Sequence, residues 1–156
     1  MGISNRVRLE TPRRNRPAET DEAPVSRKPA LPTYVSDVDD PGYTSAERPD
    51  DFALVVGIAK YKDLPQADFA DRDAKTMRAH LLAMGYPERN IILLTGENAT
   101  RTGLQKYLEE WLPRNVKPES KVFFYYSGHG SPDPQSGDAY LVPWDGDASF
   151  LASTAY

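Results

Sequence analysis

The chain has 156 residues, 27% charged and 39% hydrophobic, with a net charge of −4 and a mean hydropathy of −0.62. That is room for one domain with a modest core and a polar tail, and it leaves no basic field for gripping nucleic acid. No run approaches the roughly 18 apolar residues of a membrane helix, and the first six residues form neither a secretory signal nor a myristoylation site, which points to the cytoplasm.

Residues 1–51 carry seven of the 14 prolines and almost no hydrophobic periodicity. Prolines every few residues exclude helices and central strands. Basic residues prevail over 1–28 and acidic ones over 29–51. Such a segment buries too little apolar surface to offset its ordering entropy, so a disordered Pro-rich leader is expected over 1–51 and a folded domain over 52–156.

From Phe52 the pattern changes. Residues 52–59, 91–95 and 122–127 are continuous apolar runs of strand length, as suits strands of a parallel sheet buried on both faces. Ala70, Ala74, Met77, Leu81 and Met84 form one stripe of an amphipathic helix, with Asp68 as expected N-cap and Gly85 as stop. Leu104, Tyr107, Leu108, Trp111 and Leu112 form a second stripe, starting from a Thr100 cap and ending at Pro113. Strand, helix, strand, helix, strand with right-handed crossovers predicts a doubly wound, mostly parallel α/β sheet. Residues 128–137 read as a loop, 138–142 as a short strand before Pro143, and 147–156 as no completed element. Three strands with a bare edge are marginal, so the sheet is expected to be incomplete.

The chemistry-bearing residues follow the most hydrophobic strand. Ser127-Gly128-His129-Gly130 lies where ligands bind in open α/β sheets, at the carboxyl end of a strand. Flanking glycines let the backbone turn tightly and leave the imidazole unobstructed, and a histidine so presented suits proton transfer near neutral pH. The plainer alternative is a glycine-rich turn with an incidental histidine.

From Phe52 to about Trp144 the chain resembles the large-subunit (p20) part of caspase and metacaspase-type cysteine peptidases (peptidase C14, clan CD), in the manner of their bacterial relatives. The matching pieces are Leu54 to Tyr61, Asp73-Ala74, Gly85 to Ile91, Phe123 to Gly130 and Asp138 to Asp145. The resemblance implies the first three strands and two helices of a caspase-like fold plus its histidine loop. It also implies a cysteine endopeptidase in which His129 handles protons and the Gly130 N–H holds the oxyanion. Polypeptide substrates are the implied partners. Cysteine, however, is absent. Caspase signatures place the histidine about 50 residues before the nucleophile, and 27 residues follow His129. The expected nucleophile therefore belongs to the remainder of the peptidase domain, and the chain is read as a fragment that is inactive alone. The alternative is a catalytically inactive pseudo-peptidase acting as a protein-interaction module.

In animal caspases an arginine ahead of the motif matching Asp73-Ala74 holds a substrate aspartate, and residues 64–71 contain no arginine. The resemblance to metacaspases instead implies an acidic pocket for Arg or Lys, with Asp73 and Ser127 as substrate-binding residues. Asp68 and Asp71 are better read as favouring the positive end of the helix. His80 is read as a packing residue, and Trp111, Tyr125 and Tyr126 as core. Two histidines without cysteine do not make a zinc set, so no metal is assigned. Some metacaspase-like enzymes require calcium, which draws attention to Asp145 and Asp147; no other cofactor is expected. A serine hydrolase built on Ser127 is the least favoured alternative, because the nucleophile elbow is missing: Tyr125 occupies its first glycine position.

Overall fold

The computed structural model describes residues 36–133 and 136–156. Its centre is a three-stranded parallel sheet in the order β2-β1-β3: β1 Phe52–Gly57, β2 Ile91–Thr95 and β3 Val122–Ser127. The first crossover runs through α1 (Ala70–Ala83). The second runs through α2 (Arg101–Gln105), a π-helical segment (Lys106–Trp111) and α3 (Leu112–Asn115). The first steps from β1 outward to β2; the second steps back across β1 to β3. Two right-handed crossovers in opposite directions must lie on opposite faces.

The core follows from this. Every residue of β1 is buried, because both its faces are covered. Ala53 and Val55 pack with Ala74 and Leu81 of α1, while Leu54 and Val56 pack with Leu94 and Leu104 on the other face. The period-2 alternation of a strand thus supplies two cores from one continuous apolar run. Gly57 has no room for a side chain: a Cβ there would lie 2.4 Å from the Ala70 carbonyl oxygen and 2.5 Å from the Ala74 Cβ. That contact seats the first turns of α1 at the carboxyl end of β1. On the edge strand β3, Val122 and Phe124 remain exposed, in keeping with an incomplete sheet.

Several boundaries differ from the sequence reading. Asp68 does not cap α1; Phe69 stands at the N-cap in a left-handed conformation (φ 71°) without a side-chain cap. The entry is instead pinned to the segment after β1, where the Ala67 N–H donates to Ala59 O and the Asp71 carboxylate accepts from the Ala59 N–H at 2.9 Å. Thr100 does cap α2, its hydroxyl accepting from the Gly103 N–H at 3.0 Å. The helix passes Pro113 rather than ending there, because the widened π turn ahead of it relieves the clash between the ring and the preceding turn. Trp111, Tyr125 and Tyr126 are half-buried; Tyr125 and Tyr126 pack against the two core clusters from the side.

The stretch expected to be a loop contributes one strand of a hairpin, and the short strand expected over 138–142 supplies the other. Strand β4 (Gly130–Pro132) pairs antiparallel with β5 (Ala139–Leu141). The tail also completes an element: one turn of helix, α4 (Leu151–Thr154), returns the chain so that Tyr156 exchanges two backbone hydrogen bonds with Leu141. Residues 1–35 of the expected leader lie outside the described residues. Residues 36–51 lie along α1, with the Ser45 N–H donating to Ala83 O and the Arg48 N–H to Gly85 O. His80 donates from Nε2 to Val38 O and accepts from the Tyr43 hydroxyl at Nδ1. Among the described residues no helix is long and apolar enough to cross a membrane.

Candidate active site

Strand β3 ends at Ser127, opposite Gly57 in register, and its carbonyl accepts from the Ile58 N–H. The chain then leaves the sheet through Gly128 and His129 into β4. Gly128 is glycine for space rather than for turning: a Cβ would lie 2.5 Å from the Tyr61 hydroxyl and 2.9 Å from that of Tyr126. Neither Gly128 nor Gly130 has positive φ, so the tight-turn role expected of them does not apply. At Gly130 a Cβ would meet nothing closer than Tyr140 O at 3.5 Å.

His129 is half-buried and held on four sides. Its N–H donates to the Tyr61 hydroxyl at 2.6 Å. Its carbonyl accepts from the Val142 N–H at 3.0 Å and lies 2.8 Å from the Tyr126 hydroxyl. Its ring stacks on Tyr61, with centroids 4.7 Å apart and planes 30° apart. Nε2 lies 2.8 Å from Pro65 O. A carbonyl only accepts, so Nε2 carries the proton and Nδ1 is the lone-pair nitrogen of the neutral ring. Nδ1 has no partner among the described residues.

The Gly130 N–H is placed by the hairpin. In an antiparallel ladder, bonded and non-bonded pairs alternate. Val142 bonds back to His129, and Leu141, the partner of Gly130 in register, spends its N–H and C=O on Tyr156. The Gly130 N–H therefore points away from β5. His129 and Gly130 line an open cleft of about 220 Å³ with Leu64, Pro65, Ser131, Val142, Ala148 and Leu151. A second, larger cleft of about 340 Å³ lies beyond the other end of α1, around Gly85 and Arg89, and contains no histidine.

Tyr126 sits behind the histidine. Its hydroxyl approaches Val142 O at 2.7 Å and the Tyr61 hydroxyl at 3.4 Å. Burial first, and the Tyr61 hydroxyl second, push its phenol well above the ordinary tyrosine range, so it remains a neutral donor.

The two residues expected to bind substrate come to the same end of the sheet. Ser127 closes β3, and Asp73 lies on the first turn of α1 next to Ala74, which packs on Gly57. The Asp73 side chain is exposed and has no partner among the described residues. Asp145 and Asp147 are occupied with backbone donors, Arg101 N–H and Ser149 N–H respectively. Among the described residues no three His, Cys, Asp or Glu side chains converge as a metal set would.

Tyr61 and Pro65 were not singled out from the sequence. Tyr61 carried a weak signal, since a tyrosine that follows a buried strand so closely and is itself buried must find a partner for its hydroxyl. Pro65 acts through its backbone oxygen, which every residue has, so no sequence signal existed. Asp71 was read as complementing the helix end; it also binds the chain after β1.

The caspase domain family model matches residues 50–155. Over 89 residues the chain is 33% identical to metacaspase-1A of Aspergillus oryzae, covering 53% of this chain and 21% of that protein. It is 32% identical over 95 residues to metacaspase-2 of Trypanosoma brucei brucei, covering 56% of this chain and 27% of that protein. For metacaspase-1 of Candida albicans the identity is 30% over 93 residues, covering 56% and 21%. The chain thus spans about a quarter of the length of these relatives. With a doubly wound parallel sheet that presents a histidine at its carboxyl edge, this chain belongs to the caspase domain family, peptidase C14.

Proposed function

We propose that the chain carries the proton-transfer and oxyanion-holding half of a cysteine endopeptidase centre. The observation that carries this reading is the geometry of His129: Nε2 bonded to Pro65 O, Nδ1 left as the basic nitrogen, and Gly130 beside it in an open cleft. Nδ1 takes the proton of a thiol, and the thiolate attacks the scissile carbonyl carbon. The Gly130 N–H holds the resulting oxyanion, a contribution of roughly 3–4 kcal/mol for one such donor. The imidazolium returns its proton to the amine as the C–N bond breaks, and then draws a proton from the water that cleaves the thioester. These 156 residues contain no cysteine, so the thiol comes from outside them.

Asp73 and Ser127 form the substrate pocket in this reading, and an unpartnered carboxylate favours Arg or Lys over Asp before the scissile bond. The test is expression with the coding sequence that follows Tyr156, assayed on coumarin peptides ending in Arg, Lys or Asp. Cleavage after Arg or Lys that His129→Ala abolishes is expected. Cleavage after Asp alone discards the acidic pocket. A stop codon directly after Tyr156, with a stably folded product, replaces the peptidase by an interaction module.

A further inference from the structure

We infer that Tyr61 is the positioning residue of His129, its hydroxyl holding the histidine backbone and its ring holding the imidazole plane; this rests on reading His129 as the proton carrier. Tyr61 is buried and packs into the same core cluster as Leu54, Val56 and Val142, so its ring is a fixed wall. Its hydroxyl accepts the His129 N–H at 2.6 Å, the shortest of the histidine's contacts, and stands 3.4 Å from the Tyr126 hydroxyl. Each hydroxyl has one proton. The consistent direction is therefore His129 N–H to Tyr61, Tyr61 to Tyr126, and Tyr126 to the Val142 or His129 carbonyl.

Gly128 makes the arrangement possible, because any Cβ there would occupy the space of both hydroxyls. The opposite constraint comes from the same loop: Pro65 O takes Nε2–H, while Tyr61 stacks on the ring face. That loop is anchored in turn by Lys62 N–H on Trp144 O and by Ala67 N–H on Ala59 O. One short segment after β1 thus sets the backbone, the plane and the tautomer of the histidine.

The test uses the 156-residue chain, isotope-labelled, with the His129 ring and amide read by NMR at mildly alkaline pH. Tyr61→Phe keeps the ring and removes the hydroxyl. Its His129 amide should exchange with solvent about tenfold faster, the Nε2–H tautomer persisting. Tyr61→Leu removes the stack as well, and should erase the aromatic ring-current shift of the His129 ring protons and mix the tautomers, with β1 and β3 amide shifts retained. Unchanged His129 amide exchange in Tyr61→Phe overturns the inference, as does a dominant Nδ1–H tautomer in the parent chain. Should Tyr61→Leu fail to fold, the near-isosteric Tyr61→Phe decides alone. These signals need no nucleophile: an extended protein that never cleaves peptides refutes the peptidase reading and leaves the Tyr61 result standing.

Discussion

Tyr126→Phe probes the buried hydroxyl chain most directly. The Tyr126 oxygen lies 2.7 Å from Val142 O, 2.8 Å from His129 O and 3.4 Å from the Tyr61 hydroxyl. Its proton satisfies one carbonyl at a time, and its lone pair receives the Tyr61 proton. Deleting the oxygen removes a hydrogen bond worth about 1 kcal/mol and strands polar groups at about 1–3 kcal/mol each. His129 O retains Val142 N–H, which limits the loss, so a destabilisation of about 2 kcal/mol at neutral pH is expected. A second signature lies at alkaline pH. The folded chain holds the Tyr126 proton well above the ordinary value of 10.0, through burial first and Tyr61 second. Above about pH 10 the unfolded state therefore binds fewer protons, and stability falls as pH rises, by at most about 1.4 kcal/mol per unit. Partial exposure of the ring trims this to about 1 kcal/mol per unit. The variant lacks that titration, so its deficit of about 2 kcal/mol near neutrality should shrink to about 1 by pH 11. Urea unfolding followed by tryptophan fluorescence across that range measures both effects. A neutral-pH gap under about 0.5 kcal/mol, or a gap that does not narrow above pH 10, refutes the reasoning.

Gly57→Ala should destabilise by about 3 kcal/mol, the upper end for overpacking, because the new Cβ collides with backbone and Cβ atoms of α1; a thermal melt checks it. Thr100→Ala removes the N-cap hydroxyl of α2 while Asp145 keeps the Arg101 N–H, and should cost about 1 kcal/mol, with the urea m-value unchanged. Phe69→Asn should raise stability by about 0.5–1 kcal/mol: the position is left-handed and 38% exposed, so a residue that tolerates this conformation gains more than is lost in packing. A lower midpoint in urea would show that the Phe69 side chain packs more firmly than its exposure implies.

Much of the fold was legible because its signals are local. The three apolar runs became β1, β2 and β3 with nearly the expected bounds, and the Ala70–Leu81 stripe became the buried face of α1. A strand covered on both sides needs no alternation, and that absence is itself readable in the order of residues. Elements whose stability comes from distant partners were less visible. Strand β5 was expected, but its partner β4 has three residues, too short to show a period, and the hairpin is held by Val142 on His129 and by Tyr156 on Leu141. Pro113 marked a stop by its chemistry, yet the π turn before it let the helix continue.

The site divides in the same way. Order and composition alone singled out His129, set between two glycines at the carboxyl end of β3, because flanking glycines and a preceding apolar run are properties of neighbours in the chain. Which nitrogen of the imidazole is free, and what holds its plane, came only from folding. Tyr61 and Pro65 lie more than sixty positions away and act through a hydroxyl, a ring face and a main-chain oxygen. Contacts of that kind depend on distance in space, and separation along the chain carries no record of it.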